Sequence, residues 1–439
     1  MSAIAAVAAP PPEMTDEQKR EAAVVRKVAR RVLPFIVLCY IVAYLDRSNL
    51  SVAALTMMDT LNLNSAQFGF AAGIFFLGYI LCELPSNLLQ VRFGPRRWIA
   101  RIMISWGILA VCMAFVTGAT SLYVMRVLLG IAEAGFFPGI IFYLAFWFPA
   151  DYRARVFGWF LAAIPISMII GAPISAALLY MDGIAGMHGW QWLFIIEGLP
   201  AVALGIACLF LLTDTPQDAT WLDDGEKKTL IALLARDGGP ETASTHGPIG
   251  EALTNPRMWQ MAIVNLGLIA GSYGVVFFLP QMIAEFGASH FENGLISSLP
   301  FIASLAGMLA WSWHSDRTGE RRWHVVVPML CSAAGFVLAG LIAGPIGKTL
   351  ALMIAAAGSY MAMGPFWQYV PTFLQRGKSA AAAIALINMI GSLAGFFAPV
   401  LMGEAKQMTG SYLGGLVFTA VLVGIGGLTT LRLTAKRAA

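Results

Sequence analysis

Four ionisable residues sit inside apolar runs long enough to cross a membrane: Asp46, Arg47, Arg126 and Glu133. Charges at such depth are costly and mark functional positions. A guanidinium offers a planar fork that can hold a carboxylate through two parallel hydrogen bonds. A buried carboxyl group binds a proton more readily when desolvated and less readily beside a cation. Two arginines and two acids at similar depth could therefore hold an anion and exchange a proton against it.

The elements that must position these groups follow from composition. The chain has 439 residues, 58% hydrophobic and 12% charged, against about 25% charged in soluble domains. Runs of roughly 20 apolar residues, enough for one membrane helix, recur from end to end. The alternating segments of about 10 residues that build a membrane β-barrel do not occur. The sequence predicts an all-α integral membrane protein with twelve spans near 32–52, 67–90, 98–117, 120–146, 155–181, 191–213, 258–284, 292–313, 323–344, 348–373, 380–404 and 410–433. A polar stretch, 214–257, holds Asp214, Asp218, Asp223, Asp224, Glu226, Lys227, Lys228, Arg236 and Asp237. It reads as a linker with a surface helix between two six-span halves, 31–213 and 258–434. Residues 1–30 and 435–439 read as cytoplasmic tails, the first twenty or so without order.

Several classes are disfavoured. Cys39, Cys82, Cys112, Cys208 and Cys331 lie in apolar spans with no CxxC or Cys/His cluster, so they read as small core residues, not disulfides or metal ligands. No cofactor is expected. The net charge of +4 is dispersed at segment ends, which argues against a nucleic-acid surface. Met1–Pro12 lacks the basic and apolar regions of a signal peptide.

Cytoplasmic loops are enriched in Lys and Arg. One set of loops carries Arg26, Lys27, Arg30, Arg31, Arg92, Arg96, Arg97, Arg101, Arg153, Arg155, Lys227, Lys228, Arg236 and Arg257. The same side continues through Arg317, Arg321, Arg322, Arg376, Lys378, Arg432, Lys436 and Arg437, while the opposite loops have Lys348 and Lys406. Both termini are therefore expected in the cytoplasm, in a bacterial inner membrane. Two loops on the basic side repeat a pattern: Arg92-Phe93-Gly94-Pro95-Arg96-Arg97 after span 2, and Arg317-Thr318-Gly319-Glu320-Arg321-Arg322 after span 8. A glycine turn with cations can cap helix C-termini, and internal duplication is common in secondary transporters.

With Asp316 ahead of it, the second loop resembles the signature of the major facilitator superfamily, though Ser312 replaces the usual leading Gly. The first copy has Val91 at the acidic position and Asn87 at the leading Gly, which weakens the loop-to-helix salt bridge expected there. Tyr44-Leu45-Asp46-Arg47-Ser48-Asn49-Leu50, Glu83-Leu84-Pro85-Ser86-Asn87, Arg126-x-x-x-Gly130-x-x-Glu133-Ala134-Gly135-x-x-Pro138-Gly139 and Gly189-Trp190-Gln191-Trp192-Leu193-Phe194 resemble the anion:cation symporter family within it. That family includes permeases for sugar acids, tartrate and aromatic acids, and the vesicular glutamate carriers. The resemblance implies proton-linked uptake of a carboxylate by a two-half bundle.

At about 1.5 Å per residue, Arg47 lies about 22 Å from the cytoplasmic end of span 1, and Arg126 about 9 Å from the outer end of span 4. The two guanidiniums are thus expected at one level, clamping the anion. Asp46 and Glu133 are expected to carry the proton. Tyr40, Tyr44, Arg47 and Ser51 share a helix face, and Tyr44 and Tyr79 are candidates to line a cavity. Second-half candidates are Asn265, Tyr273, Trp367, Gln368 and Asn388, each equally readable as an interhelical hydrogen bond. Fixed pairing of Asp46 with Arg47 and of Arg126 with Glu133 is the structural alternative. Glu83 reads as a cap or gate, and Glu197 has no assigned role. Trp367 and the scarcity of amides lean toward an aromatic or sparsely hydroxylated cargo.

The expected function is a monomeric proton-coupled symporter for a small organic carboxylate, driven by the proton gradient. An exchanger or exporter of the same fold, and a non-transporting sensor, are the alternatives. The HExxH or grouped loop carboxylates of a membrane enzyme are lacking.

Overall fold

Backbone inside lipid must satisfy its own N–H and C=O groups, and helices do so within one segment. The computed structural model describes residues 15–236, 249–370 and 378–433. Residues 1–14 and 435–439 of the expected tails, with Asp237, Arg376, Lys436 and Arg437, lie outside the described residues. Among the described residues there are twelve helices long and apolar enough to cross a membrane. Spans 1–6 are Asp16–Thr60, Ser65–Phe93, Pro95–Phe115, Ala119–Ala145, Ala150–Met181 and Gly189–Leu211. Spans 7–12 are Pro256–Val276, His290–Thr318, Arg322–Leu341, Pro345–Tyr369, Ala383–Thr409 and Leu413–Arg432.

Span 1 starts well before the expected boundary, so the expected tail is already helical from Asp16. A capping box explains the start: Gln18 N–H donates to Thr15 Oγ1 at 3.3 Å, and Thr15 N–H to Gln18 Oε1 at 3.0 Å. The linker helix, Asp224–Arg236, then packs on this extension through Lys27–Glu226 at 2.6 Å and Arg236–Glu21 at 2.8 Å. These pairs mark the linker side of the bundle. The cysteine expectation holds in part: Cys39 and Cys208 are buried, whereas Cys112 and Cys331 are exposed on the outer surface.

Two breaks shape the interior. Span 4 is helical over Ala119–Glu133 and again over Phe136–Ala145. Between them Gly135 has φ 85°, a left-handed conformation that costs any residue with a Cβ. Span 7 ends at Val276 and resumes as Leu279–Ala284.

The halves meet along spans 2 and 11 and along spans 5 and 8. On the far side from the linker both pairs approach backbone to backbone. A methyl on Gly69 would collide with the Pro399 carbonyl, and one on Gly294 would lie 2.7 Å from the Ala172 carbonyl. Tyr180 Oη accepts from Phe291 N–H across the same side at 3.4 Å. The far side is therefore sealed by small residues at positions where larger side chains would hold the helices apart.

Candidate functional site

A cavity of about 90 Å³ lies between the halves, lined from one half by Tyr40, Tyr44, Arg47, Phe76 and Tyr79 and from the other by Asn265, Tyr273, Tyr360, Trp367 and Asn388. Arg47 is its one charged side chain among the described residues. Helical spacing on span 1 delivers Tyr40, Tyr44 and Arg47 to one face, as expected. Ser51, the fourth member of that face, is buried and donates to the Ser48 carbonyl at 2.6 Å.

Arg47 is the junction of the site. Nη1 donates to Tyr273 Oη at 2.9 Å, crossing from one half to the other. Nη2 forms an ion pair with Glu133, and Nε is buried without a partner. The guanidinium carbon lies 4.9 Å from the Tyr44 ring centroid, 5.4 Å from Phe75 and 5.5 Å from Tyr79, an aromatic box of the kind that favours a cation. Glu133 reaches it from the last residue before the break in span 4.

Arg126 is placed differently from expectation. Nε donates to the Ala71 carbonyl at 3.1 Å and Nη2 to the Ala72 carbonyl at 3.3 Å, both on span 2. It is 1% exposed and does not line the cavity. Its guanidinium carbon lies 4.8 Å from the same Phe75 ring that Arg47 covers. The depth estimate brought both arginines to one ring, but of the two only Arg47 lines the cavity. A two-arginine clamp is therefore not what the side chains form; one arginine faces the space and the other braces span 2.

The fixed pairs considered within spans 1 and 4 are replaced by a pair across them, Arg47 with Glu133. Asp46 turns away: Oδ2 accepts from Trp106 Nε1 at 2.7 Å and Oδ1 from Asn49 Nδ2 at 3.1 Å. Neighbours on a helix point about 100° apart, so Asp46 and Arg47 serve different surroundings.

In the second half, Asn265 lines the cavity while its amide N–H donates to the Ile387 carbonyl at 3.1 Å. Asn388 also lines it, and its amide N–H donates to Glu83 Oε1 at 2.9 Å, joining span 11 to span 2. Tyr273 and Trp367 face the space; Gln368 does not. Glu83 sits on the linker side of Tyr79 on span 2, where a gate would lie, with Oε2 buried and unpartnered.

The loop residues lie at the helix ends on the linker side. Gly94 and Gly319 take φ 84° and φ 68°, which explains the repeated glycine. Arg321 pairs with Asp316 at 2.8 Å, and Arg317 packs over Trp313 at 5.4 Å. The first copy still makes a salt bridge despite Val91. Asp214, which follows span 6, accepts from Arg96 N–H at 2.8 Å and pairs with Arg96 Nε at 3.6 Å, while Arg92 packs over Phe93 at 5.7 Å. The missing acid is supplied from outside the motif. Among the described residues no group of three or more His, Cys, Asp or Glu side chains could hold a metal ion.

Residues 36–399 match the family model described as Major Facilitator Superfamily. A protein of Agrobacterium vitis named putative tartrate transporter is 48% identical over 412 residues, covering 94% of this chain and 91% of its own length. A quinolone resistance transporter of Acinetobacter baumannii is 37% identical, covering 94% and 95%. Among solved structures, the xylose transporter XylE of E. coli in a partially occluded inward-open conformation matches with a TM-score of 0.71 at 16% identity, over 93% of this chain and 98% of that one. The family model spans most of the chain and the relatives span nearly all of it: this chain belongs to the Major Facilitator Superfamily and is one of its transporters.

Proposed function

We propose that the protein imports a small hydroxylated carboxylate, with tartrate as the first compound to test, by proton-coupled symport. One observation carries the reading: the single cation of the cavity among the described residues, Arg47, is also the partner of buried Glu133. A carboxylate arriving in the cavity and the Glu133 carboxylate compete for the same guanidinium. When Glu133 is protonated, Arg47 is free to bind the anion. When the anion leaves, Arg47 takes Glu133 back and favours its ionised form. Proton and anion therefore bind together and leave together, which is symport. The Arg47–Tyr273 bond ties this exchange to the contact between the halves.

The polar lining supports a hydroxylated cargo. Tyr44, Tyr79, Tyr273 and Tyr360 offer hydroxyls, and the Asn265 and Asn388 amides, each with one N–H already donating within the protein, offer carbonyl oxygens and a second N–H to substrate hydroxyls. This lining favours a hydroxy acid over the sparsely hydroxylated cargo suggested by Trp367. The basic loops favour an inner membrane with both termini in the cytoplasm, so that the sealed far side faces outward. Arg92, Arg96, Asp316, Arg317 and Arg321 then stand at the cytoplasmic ends, where inward opening would load them.

The relative named for quinolone resistance favours a second reading, export of a carboxylate-bearing drug. Proteoliposomes decide between them. Labelled tartrate uptake that acidifies the lumen supports symport, and drug efflux without tartrate uptake supports export.

A further inference from the structure

The linker-side ends of spans 2 and 3 carry cations that the transport reading does not use. Arg92, Arg97 and Arg101 make no ion pair among the described residues, whereas Arg96 turns to Asp214. Arg92 and Arg97 are exposed. Arg101 is half-buried, with Nε enclosed and unpartnered.

Rings hold two of these cations in place. The Arg101 guanidinium carbon lies 4.0 Å from the Trp98 ring centroid, and that of Arg92 lies 5.7 Å from the Phe93 centroid. Phe93 and Trp98 are themselves 5.7 Å apart, with ring planes 9° from parallel. Trp98 Nε1 donates to Ser86 Oγ at 3.0 Å, which fixes the indole of span 3 against span 2.

Farther from the linker side, the same helix faces are apolar and exposed. On span 3, Arg97 and Arg101 continue at helical spacing into Ile108 and Phe115, 51% and 65% exposed. On span 2, Arg92 follows the exposed Leu81, Leu84 and Leu88. These stripes suit lipid tails, so the arginines stand where each stripe meets the headgroups, the level that Trp favours. An arginine that only reaches for water needs no ring to lie on. A guanidinium laid flat on an indole keeps the edge of its fork open, and that fork matches a phosphate. Arg97 stands one turn before Arg101 on the same face.

We propose that Arg97 and Arg101, on the Trp98 platform, bind the headgroup phosphate of an anionic phospholipid in the linker-side leaflet. Arg92 adds attraction, and the acyl chains lie along the exposed face of span 3. The assignment stands whatever the cargo is.

Native mass spectrometry of delipidated full-length protein tests this, with phosphatidylglycerol and phosphatidylcholine of identical chains as probes. Wild type should bind the first phosphatidylglycerol about five-fold or more tighter than the first phosphatidylcholine. Arg101→Gln should weaken phosphatidylglycerol binding about five-fold. Trp98→Leu, which keeps every cation, should also weaken it. Arg31→Gln, which removes an exposed cation of span 1 outside this cluster, should leave it unchanged. Equal affinity of wild type for the two lipids overturns the proposal, and that comparison needs no variant if Arg101→Gln does not fold. An equal loss in Arg31→Gln also overturns it, because the attraction is then general charge. Displacement of the lipid by millimolar glycerol 1-phosphate assigns the arginines to a free phosphate ester and overturns the lipid.

Discussion

Arg47→Lys keeps the cavity's charge and removes its fork. In the structure the guanidinium serves two partners from separate nitrogens, Tyr273 at 2.9 Å and Glu133, with Nε still unused. A carboxylate that displaces Glu133 can take Nη2 and Nε together, while Nη1 keeps Tyr273. An ammonium is a point charge and cannot present two parallel donors to the anion. The variant should therefore lose one charge-assisted hydrogen bond, about 1.5–3 kcal/mol, which is roughly a ten- to 150-fold weaker affinity. Equilibrium binding of labelled tartrate to purified protein measures this directly. Arg126→Lys is the control: its guanidinium bonds to the Ala71 and Ala72 carbonyls, so its loss should lower the melting temperature and leave tartrate affinity near wild type. Unchanged affinity in Arg47→Lys, or an equal loss of affinity in a well-folded Arg126→Lys, would refute the single-arginine account.

Other consequences follow from particular contacts. Gly69→Ala places a methyl against the Pro399 carbonyl. In a background without native cysteines, it should make Phe76→Cys more reactive to an impermeant thiol reagent applied from the far side. Glu83→Ala removes the 2.9 Å bond to Asn388, and should raise the reactivity of Ser392→Cys from the linker side. Asp214→Ala strips the start of span 3 of its acceptor and Arg96 of its partner. It should cost about 0.5–2 kcal/mol, seen as a lower melting temperature with tartrate affinity unchanged.

Much of the architecture was legible because lipid allows few alternatives: each apolar run had to be a helix, and the described residues hold twelve such helices where twelve were expected. The start of span 1 was missed because hydropathy does not register the polar turns that a capping box and the linker helix hold in helical form. Within the site, depth along a helix placed Arg47 and Arg126 at one level but could not say which of them would line the cavity and which would bond to the span 2 backbone. The Arg47–Glu133 pair depends on spans 1 and 4 meeting at that height, a tertiary fact with no local signal. Glu197 carries no local signal because its hydrogen-bond partner, Ser175, comes from another span. Asp214 was missed for the opposite reason: the motif drew attention to Val91, and the substitute acid lies beyond span 6. The break beside Glu133 had a visible cue in Gly135, whose left-handed backbone only glycine adopts freely.

The central claim is that Glu133 and the transported anion exchange places on Arg47. Proteoliposomes holding wild-type protein, given labelled tartrate outside and an inside-alkaline pH gradient, test it most directly when run beside Glu133→Gln. Glutamine fills the same space but cannot release a proton. The account predicts that wild type concentrates tartrate and loses this when the gradient is collapsed, while Glu133→Gln binds tartrate yet only equilibrates it. Gradient-driven accumulation by Glu133→Gln at the wild-type level would contradict it.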